Sequence, residues 1–151
     1  PMLEAVPVRK GLSPESVAGF LLRLALGVLL FFAAVGKFVG PGPAGFAQYI
    51  LQDFEGTYLP RILVLPYAYA LPYVELLLGL VLILGIFTRI SLTIAGLTLI
   101  SLAFGKMVQQ DHVTVANNLN YVFMAAVALW FAWRDNALSL DRFLCRAKQN
   151  D

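Results

Sequence analysis

Glu75 stands in the run Leu71-Pro72-Tyr73-Val74-Glu75-Leu76-Leu77-Leu78 and is the only charged residue between Arg61 and Arg89. A bare carboxylate in lipid is unfavourable by roughly 2 kcal/mol or more, so it must be paired, protonated or solvated. Lys37 and Lys106 fall near the ends of two other apolar blocks and are placed to answer it. Gln109, His112, Asn117, Asn118 and Asn120 follow Lys106 closely in the chain. Two ammonium groups against one carboxylate leave a positive surplus that can hold an anion or polarise a carbonyl such as that of a quinone. The eight residues together make a candidate ligand-binding pocket. They also have a plainer use, in which Glu75 and one lysine clasp two helices while the other lysine snorkels to the surface. A histidine in a loop is ordinarily just solvated, although imidazole is suited to proton transfer near neutrality. No residue is an evident nucleophile and no catalytic motif is present, so the sequence leaves open whether any reaction is catalysed.

Other chemistries are excluded more firmly. Cys145 is the only cysteine and His112 the only histidine. An intramolecular disulfide, a Cys-based zinc or iron-sulfur site and an imidazole pair for haem or metal are therefore ruled out within one chain, and no metal site is expected. The basic residues are scattered without a phosphate-gripping stripe, so nucleic acid is not an expected partner.

The elements that must position these residues are membrane spans. Sixty per cent of the 151 residues are hydrophobic and 13% are charged, where an average soluble domain is nearer one-quarter charged. A bilayer core requires roughly 20 helical residues, and four apolar blocks come close to that, at about 17–38, 68–87, 91–109 and 118–133. Ser13-Pro14-Glu15-Ser16 suits the opening turn of the first block, and Gly40-Pro41-Gly42-Pro43 breaks it. Pro66 and Pro72 precede or open the second, Asn117 and Asn118 read as caps of the fourth, and Trp130-Phe131-Trp133 beside Arg134 reads as an interfacial belt. Between spans one and two, Phe46, Tyr49, Ile50 and Phe54 have the spacing of one helical face. That predicts an interfacial or re-entrant helix capping the bundle.

The expected fold is thus an all-α membrane protein, a four-transmembrane-helix bundle with an extra segment between helices 1 and 2. Residues 1–16 form an N-terminal segment, 17–134 the membrane domain and 135–151 a tail. Pro1 before Met2 reads as a remnant of tag cleavage, and the first block is too long for a signal-peptide core, so it reads as a retained span. Arg9, Lys10, Arg89, Arg134, Arg142, Arg146 and Lys148 fall on one side, which places both termini in the cytoplasm by the positive-inside rule. Arg23 and Arg89 read as anchors at that inner surface. Small residues on the first, second and fourth spans, among them Gly19, Gly27, Gly79, Ala125 and Ala128, predict close helix contacts.

The assembled pattern resembles the DoxX family of small bacterial four-helix membrane proteins. It includes Leu22-Arg23-Leu24-Ala25-Leu26-Gly27, Gly36-Lys37-Phe38, Pro72-Tyr73-Val74-Glu75-Leu76-Leu77-Leu78-Gly79, Leu84-Gly85-Ile86-Phe87-Thr88-Arg89 and Ser139-Leu140-Asp141-Arg142. The resemblance spans Leu21 to Asp141, and Lys106 and Gln109 depart from the simpler polar end expected of span three. It implies the bacterial inner membrane and a link to membrane oxidoreductase systems. The leading expectation is an accessory that binds a small ligand, with quinone as the candidate cofactor and oxidoreductase subunits or further copies of the chain as candidate partners. A structural or assembly subunit is the alternative, and a small transporter is the weaker third because no inverted repeat is evident.

Overall fold

The computed structural model describes residues 13–134 and 138–139. Five helices follow in order, α1 (Pro14–Val39), α2 (Gly42–Asp53), α3 (Arg61–Leu84), α4 (Thr88–Val108) and α5 (His112–Arg134), with no strand among the described residues. Four of them, α1, α3, α4 and α5, are long and apolar enough to cross a membrane. This is the all-α bundle of four membrane-spanning helices that the sequence predicts. Their outward faces carry Leu21, Phe32, Leu77, Leu97 and Phe123, each exposed, a surface suited to lipid as solvent. Residues 1–12, 135–137 and 140–151, which include Arg9, Lys10, Asp141, Arg142, Cys145, Arg146 and Lys148, lie outside the described residues.

The helix ends follow from local chemistry. Ser13 caps α1 by accepting from the Ser16 amide at 3.1 Å, with Pro14 in the first turn where its missing N–H is harmless. Asp111 caps α5, accepting from the Thr114 amide at 3.1 Å and from its hydroxyl at 2.6 Å. Those two bonds and a negative charge at a helix N-terminus start the helix well before Asn117 and Asn118, which lie inside it and are not caps. The Asp111 carboxyl is held below the usual carboxylate range, chiefly by the Thr114 hydroxyl and then by the Thr114 amide. The second span is also longer than its sequence suggests. It starts at Arg61 and runs through both Pro66 and Pro72. Membrane helices tolerate such prolines because neighbouring groups and local adjustment satisfy the freed carbonyls.

In the bundle α3 packs chiefly on α1 and α4 chiefly on α5. The contact of α1 with α5 joins the two pairs, while α3 and α4 touch much less. The core contains Leu26, Leu30, Leu78, Leu82, Leu92 and Leu99 with Ala95, Ala125, Ala128 and Ala132. The α1–α3 contact is a backbone approach: a Cβ on Gly79 would meet the Phe31 backbone nitrogen at 2.6 Å, and one on Gly27 the Ile83 backbone nitrogen at 3.0 Å. Without water to drive association, such packing holds membrane helices together. Gly79→Ala is therefore expected to force α1 and α3 apart and to cost about 1–3 kcal/mol, read as a lower midpoint of denaturant unfolding in detergent. Gly36→Ala is the control. A Cβ there meets nothing within 4 Å, and alanine is the better helix former by about 1 kcal/mol, so that variant should unfold no earlier.

At the end of the bundle away from α2, α3 closes on Gly85, which is left-handed at φ 72°. The Gly85 and Ile86 amides both return to the Val81 carbonyl, at 2.9 and 3.1 Å. Arg23 of α1 lies here, 3% exposed, and donates to the Leu138 carbonyl at 2.7 Å. It is not the surface anchor expected from sequence. Its guanidinium packs against Gly85 at the C-terminus of α3, where the helix dipole favours a cation. The bond to Leu138 also puts the start of α1 and the segment after α5 on the same side. Arg89 does remain at the surface, 4.4 Å from the Trp133 ring, and Arg134 lies 5.3 Å from the Trp130 ring.

Candidate functional site

Glu75 lies almost four turns into α3, about 21 Å along the axis at 1.5 Å per residue. A span begun near residue 68 would have put it only about two turns in. It is 2% exposed. The Lys37 ammonium, in the last turn of α1, donates to Glu75 Oε2 and also reaches the Ala33 carbonyl at 3.5 Å. The Phe46 ring of α2 lies 5.2 Å from the same ammonium, a cation–π contact that strengthens away from water. One ion pair thus ties α1 to α3 beneath α2.

Lys106 is not the third member of that pair. It donates to Gln109 Oε1 at 2.6 Å and lies 3.5 Å from Asp53 Oδ2, while Gln109 donates to the same Asp53 oxygen at 2.6 Å. The cluster fastens the end of α2 to the end of α4. Each lysine has its own carboxylate, so the positive surplus expected from two lysines and Glu75 alone is balanced by Asp53.

Both clusters border one cavity of about 540 Å³, to which all five helices contribute. It occupies the gap where α3 and α4 diverge. Phe46, Tyr49, Ile50 and Phe54, the face of α2 recognised from its spacing, form one wall. Val64, Tyr67, Ala68, Leu71 and Glu75 form the α3 wall, and Ser101, Leu102, Phe104, Gly105 and Lys106 the α4 wall. Tyr67 Oη and Ser101 Oγ are 2.7 Å apart across the gap. Since Ser101 gives its proton to the Thr98 carbonyl at 2.7 Å, Tyr67 is the donor between them. Pro72 carries no N–H, so the carbonyl of Ala68 lacks its helical donor within this wall. Leu63, Tyr67 and Phe104 are exposed as well as cavity-lining, which sets the mouth of the cavity among lipid-facing side chains.

Of the eight residues singled out from sequence, Lys37, Glu75, Lys106, Gln109 and Asn118 line the cavity. His112, Asn117 and Asn120 are exposed on α5 and do not. The wall is also more apolar than the polar pocket the sequence suggests. Tyr67, Ser101 and Asp53 were missed as site residues. A signal for Tyr67 exists, because Val64, Tyr67, Ala68, Leu71 and Glu75 fall on one face once α3 is extended back to Arg61. Among the described residues no three His, Cys, Asp or Glu side chains gather as metal ligands. The arrangement can receive a flat, largely apolar molecule and present to it an ammonium–carboxylate pair at one place and a phenol at another.

A family model described as methylamine utilisation protein MauE matches residues 15–116. The match runs from α1 into the first turn of α5 and covers every named wall residue of the cavity except Asn118. The chain belongs to this family, which is related to the wider DoxX-like clan. It is a small multi-pass membrane protein of the redox-associated DoxX and MauE group, and the resemblance to DoxX holds at the level of that clan. No curated protein and no solved structure matches the chain.

Proposed function

We propose, from membership of the MauE family and from the shape of the cavity, that the protein binds a membrane-dissolved, quinone-type ligand as an accessory component of a membrane oxidoreductase system. The observation that carries this reading is the cavity itself, apolar along most of its wall, polar at Lys37–Glu75, at Tyr67–Ser101 and at Lys106–Gln109, and bordered at its mouth by lipid-facing residues. Its volume of about 540 Å³ falls in the range of small-molecule sites, about 300–1,000 Å³. A quinone has an apolar ring with carbonyl oxygens at opposite ends. Lys37, held by Glu75, supplies a charged donor for one, and Tyr67 supplies a neutral donor for the other by turning its hydroxyl from Ser101 to the ligand. Lys106 and Gln109 line the site near α2, where a ring substituent would lie, with Asn118 across from them on α5.

The same reading places the protein in the bacterial inner membrane with α2 on the outer side and both termini in the cytoplasm. Arg89, Arg134, Trp130 and Trp133 at the far end from α2 support that orientation, as do the basic residues of the two terminal segments. An assembly subunit that uses glycine faces to grip other proteins is less well supported. Gly27 and Gly79 are occupied by helix contacts within the chain, and Gly19 faces Phe131.

Equilibrium titration of the purified protein in nanodiscs with a short-chain quinone, against empty nanodiscs, tests the proposal. Saturable binding is expected. A hydrogen bond to a neutral partner contributes about 0.5–1.5 kcal/mol and one to a charged group about 1.5–3 kcal/mol. Tyr67→Phe should therefore weaken binding by roughly three- to tenfold and Glu75→Gln by roughly tenfold or more. Wild-type protein that shows no saturation above the partition background overturns the reading.

A further inference from the structure

A second cleft, of about 370 Å³, lies between the end of α2 and the start of α3 and carries Gln48, Gln52, Glu55, Thr57 and Arg61. Those five residues are polar, and all except Thr57 are exposed, so this cleft belongs to water as clearly as the larger cavity belongs to lipid. Phe54, Leu59 and Val64 line both spaces. A single layer of side chains therefore separates a water-facing cleft from a lipid-facing cavity.

Phe54 is the bulkiest member of that layer and, like Leu59, stands outside the helices. It stands at the C-cap of α2, beyond the last helical residue, whereas Val64 is fixed within α3. Its ring tip lies 3.3 Å from the position of a Cβ on Gly105, so it fills the notch that the missing side chain leaves in α4. Its neighbour Asp53 is the residue that Gln109 and Lys106 hold against α4. These hydrogen bonds are exposed, and exposed ion pairs hold weakly against solvent. The fastening is one that thermal motion undoes readily.

We propose that the cavity has a second entrance from water, through this cleft, closed by the Phe54 ring and held closed by the Asp53 cluster. A small polar molecule from the aqueous side then reaches the same cavity that an apolar ligand enters from the bilayer. This deepens the ligand-binding reading by giving the site two kinds of access, and it rests on that reading for its purpose though not for its test.

Thiol accessibility tests it without any ligand. Ser101→Cys, in a Cys145→Ser background, puts a reporter in the α4 wall of the cavity at little change in volume. Its modification by a charged, membrane-impermeant methanethiosulfonate should be slow when Phe54 is present and roughly tenfold or more faster with Phe54→Ala. Asp53→Asn, an exposed change with little bearing on folding, should accelerate it by a smaller factor. An uncharged, membrane-permeant maleimide should modify the reporter at similar rates in all three backgrounds, which shows that the cavity is intact. Charged-reagent rates that stay the same in both variants while the maleimide still reacts overturn the second entrance. A quinone titration that fails, with these rates changed as expected, would remove the ligand and leave the entrance.

Discussion

Lys37→Met is expected to destabilise the protein by about 3–5 kcal/mol, because it leaves the Glu75 carboxylate 2% exposed with its cationic partner gone. The cost arises from the stranded charge more than from the lost attraction. A buried pair gains little net stability over apolar side chains of similar size, whereas removing one partner alone is severe. Lys37→Met combined with Glu75→Leu should therefore recover most of the loss. Denaturant titration in detergent, followed by circular dichroism, measures both variants. A double variant as unstable as the single one would show that the pair is needed for packing as well as charge. A single variant as stable as wild type would show that Glu75, without its partner, is solvated or takes up a proton at little cost, and that the ion pair does not hold the bundle.

The second large effect is expected at the other end of the bundle. A Cβ on Gly85 would stand 1.6 Å from Arg23 Nη1, and the residue is left-handed at φ 72°. Gly85→Ala must meet a backbone cost of about 1–2 kcal/mol and also displace a buried guanidinium from the C-terminus of α3. Together these should lower stability by about 3–5 kcal/mol, among the larger effects of single substitutions. The two terms can be separated. In an Arg23→Met background the steric part falls away, so the cycle of single and double variants should show a coupling above about 1 kcal/mol. Simple additivity would mean that the guanidinium moves aside freely.

The four spans were legible because lipid imposes length and apolarity on any helix that crosses it, and α1 ended at Gly40 as its Gly-Pro run required. The helical face of α2 was legible for the same kind of reason, since Phe46, Tyr49, Ile50 and Phe54 repeat with the helical period. Proline was the source of the main error. Taken as the break before a span begun near residue 68, Pro66 hides the first two turns of α3 and with them Tyr67, and puts Glu75 two turns into a helix that in fact reaches it after almost four. The partner of Lys106 was hidden for a different reason. Asp53 is distant in sequence and sits on the polar side of a short helix, and only the fold of α2 over the bundle brings it to Gln109 at 2.6 Å. Arg23 shows the limit of reading charge from depth alone. An arginine near a helix end snorkels unless a tight turn such as Gly85-Ile86-Phe87 and a returning chain enclose it, and neither is a property of its own helix.

Photolabelling with an azido-quinone in native membranes, with the modified residues mapped by mass spectrometry, reads out whether the cavity between α3 and α4 binds a lipid-dissolved quinone-type ligand. Labelling is expected on the cavity walls, at Tyr67, Leu71, Leu102 or Phe104, and should be abolished by excess unlabelled quinone. Label confined to outward-facing residues such as Phe32, Leu97 or Phe123, and undiminished by competitor, would contradict it.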